Sequence, residues 1–96
     1  MPKFVLSFRG QNGRTVTPAQ EAAWGKWFQE IAPSIADFGN RVGEATSVGN
    51  CGPDTALSGY VLINADDLNS AVVLAKGCPG LDGGGGVEVG TTVDMG

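Results

Sequence analysis

Histidine is absent from this chain of 96 residues, and cysteine occurs only at Cys51 and Cys78. The two thiols are too few and too far apart for a disulfide framework, and without histidine they do not complete a four-ligand zinc site. We therefore predict two reduced thiols, no metal site and no cofactor.

Basic residues are also scarce: the chain has six of them and ten acidic residues, which gives a formal net charge of −4. Nucleic-acid binding needs clustered Lys and Arg, because the release of counterions from phosphates supplies much of the affinity. The basic residues of this chain are scattered, so the sequence argues against a nucleic-acid partner.

Long apolar segments are missing as well. No run approaches the ~20 residues that a membrane-spanning helix needs, and the segment 1–9 lacks the apolar stretch of a signal peptide. These absences predict a soluble, cytoplasmic protein without a membrane partner.

The length predicts a single domain over residues 1–96, which buries only roughly 60 to 65% of its unfolded surface. Charged residues make up 17% of the chain, whereas the usual share is about 25%. So low a charge content favours a surface that partly contacts a second subunit, and we predict a homodimer.

The first element is a predicted strand. Phe4, Leu6 and Phe8 alternate with polar residues, which is the period of a strand with one well-buried face. Val5 makes the other face partly apolar. The segment Gly10–Gly13 ends this strand as a turn, because Gly and Asn tolerate positive φ.

A helix follows, and its start is marked by Thr17, Pro18 and Gln20 in the pattern of a capping box with proline at the first helical position. Pro33 predicts a kink or short break, with a second helical piece that runs to Phe38. The large apolar residues share the spacing of one helical face: Trp24, Trp27, Phe28, Ile31, Ile35 and Phe38. Such an aromatic stripe suits either a ligand that stacks on it or the core, and the spacing favours the core.

The middle of the chain predicts two strands. The segment Val42–Val48 is a weak strand, Asn50–Thr55 is a turn, and Leu57–Ala65 is a stronger strand that is apolar on both sides. A strand of that kind is normally covered on both faces.

The last third predicts a second helix and a final strand. Asp66 is the predicted N-cap of this helix. Gly77 is predicted to close the helix in the left-handed conformation, and Pro79 prevents the helix from continuing. Alternation from Val87 to Val93 predicts the last strand. The predicted buried stripe of the helix consists of Leu68, Ala71, Val72 and Ala75.

The resulting order is strand, helix, strand, strand, helix, strand. This order predicts an α+β fold of the ferredoxin-like, split βαβ type (βαββαβ), in which two helices cover one face of a four-stranded antiparallel sheet. The other face is left over, and we expect a partner chain to cover it.

Several segments, taken in order, resemble the YCII-related or DGPF-like family of small bacterial proteins. They are MPKFVLSFRG, AAWGKWF, FGNRVG, LSGYVLINADDLNSAVVLAKGCP and GGGVEV. The resemblance implies a dimeric α+β barrel, in which two ferredoxin-like units bring their open sheet faces together around a shared interior. A few members are similar to lyases that remove chloride from hydroxyquinones with a His and an Asp, a pair that this chain cannot form.

The candidate site residues are Arg9, Tyr60 and Glu88. Glu88 lies in the last strand on the side opposite the valines, so it faces the dimer interior if the open faces meet. There it serves as a general base with Arg9 or Tyr60 as the polarising group. The plainer interpretation is a partly solvated carboxylate or a simple ion pair with Arg9.

The remaining chemical candidates have structural interpretations. Cys78 follows a helix C-terminus, where the helix dipole disfavours a thiolate, so it is a small buried apolar residue. Asp82 is a turn former. The glycine run Gly83–Gly86 has a helix before it and a strand after it, the reverse of a phosphate-binding loop, and no lysine is close by.

Two functions of different class follow. The first is a non-catalytic dimeric module that binds a small molecule or another partner. The alternative is a lyase or isomerase that acts on a small organic substrate in the dimer interior without a histidine.

Overall fold

The computed structural model describes residues 1–13 and 15–94. The strands are β1 (Lys3–Gln11), β2 (Ile35–Arg41), β3 (Thr55–Asn64) and β4 (Gly86–Thr91), and the helices are α1 (Pro18–Ile31) and α2 (Leu68–Ala75). All strand pairs are antiparallel, in the spatial order β2-β3-β1-β4. The predicted α+β, ferredoxin-like fold is confirmed.

One face of the sheet carries the core. Inward residues of β1 and β3 pack with residues of both helices in a single cluster, so α1 and α2 cover this face. We call the opposite side the second face. The buried apolar residues of the core are Phe4, Leu6, Phe8, Trp27, Ile31, Val61, Ile63, Ala65, Ala71, Ala75 and Cys78.

The start of α1 is the predicted capping box. The Thr17 hydroxyl accepts from the Gln20 backbone N–H at 3.2 Å, and the Gln20 side chain accepts from the Thr17 N–H at 2.8 Å. Two N–H groups that the helix leaves unpaired are satisfied in this way, which fixes where α1 begins.

The prediction beyond Pro33 is wrong. A 3-10 turn, Ala32–Ser34, ends α1, and the chain then enters β2 where a second helical piece up to Phe38 was expected. Proline disrupts helical geometry, so apolar spacing measured across it carries no information about one helical face. The segment 42–48, predicted as a weak strand, lies outside every strand.

Details of α2 also differ from the prediction. The N-cap is Asp67 rather than Asp66: its carboxylate accepts from the Ser70 N–H at 2.8 Å, and this hydrogen bond lowers the pKa of Asp67. Leu68 is 45% exposed instead of buried, because it is the first residue of α2 and lies at the end of the helix.

Gly77 was predicted to be left-handed, but its φ is not positive. A Cβ at this position would lie 3.0 Å from the Trp27 indole nitrogen, which donates to the Leu74 carbonyl at 3.2 Å. Gly77 therefore makes room for the Trp27 ring. The helix ends at Ala75, four residues before Pro79, and Pro79 begins a 3-10 turn, Pro79–Gly83.

Candidate functional site

A cleft of about 750 Å³ opens at one end of the molecule. It lies between α1, the 3-10 turn Pro79–Gly83 and the strand ends around Phe8, Phe38 and Gly59. This volume falls within the range of about 300 to 1,000 Å³ typical of ligand sites. The cleft is therefore the first candidate for a binding site.

Five aromatic side chains line the cleft: Phe8, Trp24, Phe28, Phe38 and Tyr60. Phe8 is buried and meets Trp24 edge to face, with ring centroids 5.2 Å apart and an angle of 86° between the planes. The planes of Trp24 and Phe28 lie within 31° of one another at a centroid distance of 5.8 Å. Flat surfaces of similar orientation thus lie side by side along α1.

The aromatic stripe predicted as core is divided by the structure. Trp27 and Ile31 are buried, Trp24 and Phe28 are half-buried, and Phe38 is 64% exposed. Trp24 and Phe28 pack against the core cluster with one part of their surface and line the cleft with another. The core interpretation therefore holds fully only for Trp27 and Ile31, and the other aromatic side chains leave surface free.

The floor of the cleft is rich in glycine. Gly59, Gly80 and Gly85 all line it. A Cβ at Gly85 would lie 2.5 Å from the Arg9 carbonyl oxygen, so the glycine run lets two backbones of this chain approach closely. Gly84 has φ of 80° and ends the 3-10 turn in the left-handed conformation. The glycines therefore shape this side of the cleft.

Polar and charged groups also line the cleft. In residues 1–13 and 15–94 no polar or charged side chain is buried. The charged side chains of Arg9, Glu21 and Arg41 and the polar side chains of Gln20 and Asn40 border the cleft, and each is half-buried or exposed. A ligand therefore meets aromatic surface together with polar groups that stay accessible to water, and none of these groups offers a buried partner to a charged ligand.

Arg9, a predicted site residue, holds a loop. Its Nε donates to the Thr55 hydroxyl at 2.9 Å, and its Nη2 donates to the Thr55 carbonyl at 2.8 Å. These bonds fasten the end of the exposed segment 42–54 to the sheet. Charge-assisted bonds of this kind are stronger than neutral ones.

Tyr60 and Glu88 share the second face with Arg9. Ser7 pairs with Tyr60 on β3 and with Glu88 on β4, so the two candidates flank it in one row across the sheet. The Tyr60 hydroxyl accepts from the Asn40 amide at 3.0 Å, and Glu88 is exposed. Arg9 and Tyr60 also border the cleft, whereas Glu88 does not.

The cysteines show little sign of reactivity. Burial raises the pKa of the Cys78 thiol, and hydrogen bonds from the backbone of Gly80 and Leu81 only partly oppose that rise. Cys51 is exposed, and its thiol donates to the Val48 carbonyl at 3.4 Å. Within the described part of the chain no three His, Cys, Asp or Glu residues gather in a group able to hold a metal ion.

No helix among the described residues has the length and apolar character needed to cross a membrane.

A scan against protein-family models and a search of curated proteins find no match. The resemblance to the YCII-related family stays a prediction.

Sequence reasoning missed Phe38 and Gly80 as residues of the cleft. Phe38 was placed on a helix, and Gly80 has no side chain whose chemistry attracts attention. The usable signal was the length of the aromatic stripe, since one short helix over a small sheet has room to bury only part of it.

Proposed function

We propose that this protein is a non-catalytic, homodimeric module that binds a small, uncharged apolar molecule in the cleft. The observation that carries the proposal is the wall of Phe8, Trp24, Phe28 and Phe38 around a volume suited to a ligand. Half-exposed aromatic surface is unfavourable in water, and large exposed apolar patches mark binding sites.

The two tryptophans provide a direct test of binding. Trp24 lines the cleft, whereas Trp27 is buried and its indole N–H is held by the Leu74 carbonyl. In a ¹H–¹⁵N spectrum, 2-naphthol is expected to shift the indole signal of Trp24 and to leave that of Trp27 in place. Phe28→Ala is expected to weaken the binding because it removes part of the wall.

Two controls accompany this titration. Charged 2-naphthalenesulfonate is expected to bind more weakly than 2-naphthol, because its sulfonate loses water without gaining a buried partner. Glu88→Gln is expected to leave binding unchanged, since Glu88 lies away from the cleft. An unmoved Trp24 signal with saturating 2-naphthol would refute the proposed function.

In the proposed homodimer the two copies associate through the second face. Among the residues that the structure describes, no helix covers this face, and it carries the apolar side chains of Val5, Leu57, Tyr60 and Leu62 in neighbouring register positions. Gly90 lies beside Val5, where a Cβ would be 3.5 Å from the Val5 side chain, so β4 adds a smooth surface. A second copy is the occupant that we propose, because the same patch pairs with itself across a two-fold axis.

The proposed homodimer predicts different outcomes for the substitution of valine by lysine at two positions. Val5→Lys places a charge on both sides of the two-fold interface, so light scattering is expected to give the monomer mass of 9.8 kDa. Val73→Lys, on the exposed side of α2, is the matched control and is expected to keep about twice that mass. A wild-type monomer at micromolar concentration contradicts the homodimer.

The enzymatic alternative has less support. A general base works best when it is enclosed near its substrate, but Glu88 is exposed in the protomer and Arg9 donates to Thr55. The binding module needs none of these groups, and we therefore prefer it.

A further inference from the structure

Gly80 lies at a place in the cleft that leaves little room for a side chain. This residue lines the cleft within the 3-10 turn Pro79–Gly83, and a Cβ on it would lie 3.0 Å from Cζ2 of Trp24 and 3.5 Å from the Cys78 sulfur. Contacts of 3.0 Å are tighter than ordinary van der Waals contacts, so any side chain here displaces the Trp24 ring. Since Cys78 is buried behind the turn, the half-buried indole is the group that moves.

The shape of the walls also restricts the ligand. Trp24 and Phe28 present planes within 31° of each other, so a flat ring that faces one of them approximately faces the other. A puckered ring of the same size keeps only part of this contact. Aromatic pairs gain about 0.5 to 1.5 kcal/mol beyond the burial of area.

We infer that Gly80 is a specificity-determining residue, which holds the Trp24 ring in a position that admits a planar aromatic ligand of about two fused rings. This inference rests on the proposed function, since it concerns the same cleft. Gly80 acts through Trp24 and through the space it leaves, and it contributes no chemistry of its own.

The first test compares two probes of equal size on the full chain. We expect flat 2-naphthol to bind about threefold to tenfold more tightly than its saturated analogue trans-decahydro-2-naphthol, the ratio that an aromatic contact provides. The readout is the Trp24 indole signal, with the Trp27 signal as the reference for an intact fold. Equal affinities for the two probes would overturn the inference and leave the proposed function standing.

The second test changes Gly80. Gly80→Val is expected to weaken the binding of 2-naphthol at least about fivefold, as overpacking at a close contact does, and to affect the single ring of phenol less. Gly80→Ala is the milder variant and decides the matter where the valine variant loses the Trp27 indole signal. Gly25→Ala adds a methyl group on α1 with nothing within 4 Å, so it is the matched control and is expected to bind as wild type.

The outcomes of these tests distinguish the role of Gly80 from the proposed function. Unchanged affinity in both Gly80 variants overturns the role of Gly80, even when the wild type binds 2-naphthol. Failure of both probes to shift the Trp24 signal of the wild type overturns the proposed function itself. Weaker binding of 2-naphthol in the Gly80 variants, with a smaller loss for phenol, supports the inference.

Discussion

Leu6→Ala is expected to lower the free energy of unfolding by about 3 kcal/mol, because it removes methyl groups and leaves a cavity in a packed core. Leu6 lies on the central strand and is 0% exposed, between core residues from β3 and β4. Urea unfolding at a fixed protein concentration measures the change, since association would otherwise alter the midpoint.

The matched control for this variant is Leu68→Ala on α2. Leu68 is 45% exposed, so the same truncation is expected to cost less than about 1 kcal/mol. Equal losses in the two variants would show that the core is not centred on β1.

Gly39→Ala is expected to destabilise the protein by at least about 2 kcal/mol, through a strained backbone and a steric clash. Gly39 has φ of 62°, and a Cβ on it would collide with the carbonyl oxygen of Tyr60 on β3. Hydrogen exchange is expected to show loss of protection first in β2, because this contact lies between β2 and β3.

Gly43→Ala tests whether the effect belongs to that particular backbone contact. Gly43 is not left-handed, and nothing lies within 4 Å of an added Cβ. A change within about 0.5 kcal/mol is expected, as for most surface substitutions. A Gly39 variant as stable as the Gly43 variant would contradict the contact described between β2 and β3.

Local chemistry predicted most of this fold. The capping box at Thr17, the alternation of Phe4, Leu6 and Phe8 and the proline after α2 each specify an element with few residues. These signals gave the order of elements, and the ferredoxin-like sheet follows from that order. The position of β2 was missed because it depends on Pro33 and on the close approach of Gly39 to β3, which no local pattern reveals.

The candidate site was predictable only in part. Strand alternation predicted that Glu88 lies opposite the valines of the last strand, and the strand register places it on one face with Arg9 and Tyr60. The bonds between Arg9 and Thr55 join β1 to the first residue of β3 and depend on the register of these two strands, which no local pattern reveals. The cleft is lined by residues of α1, the 3-10 turn and several strands, so its existence depends on tertiary packing.

The central position of β1 has a consequence for synthesis on the ribosome. β1 is made before both of its partners: it pairs on one side with β3 and on the other with β4, and the Thr92 hydroxyl donates to the Lys3 carbonyl, 89 positions away. Nascent β1 therefore keeps its apolar residues unpaired until β3, and then β4, has been made. Contacts between such distant positions slow folding, so chaperones that shield short apolar strands would meet this chain at β1.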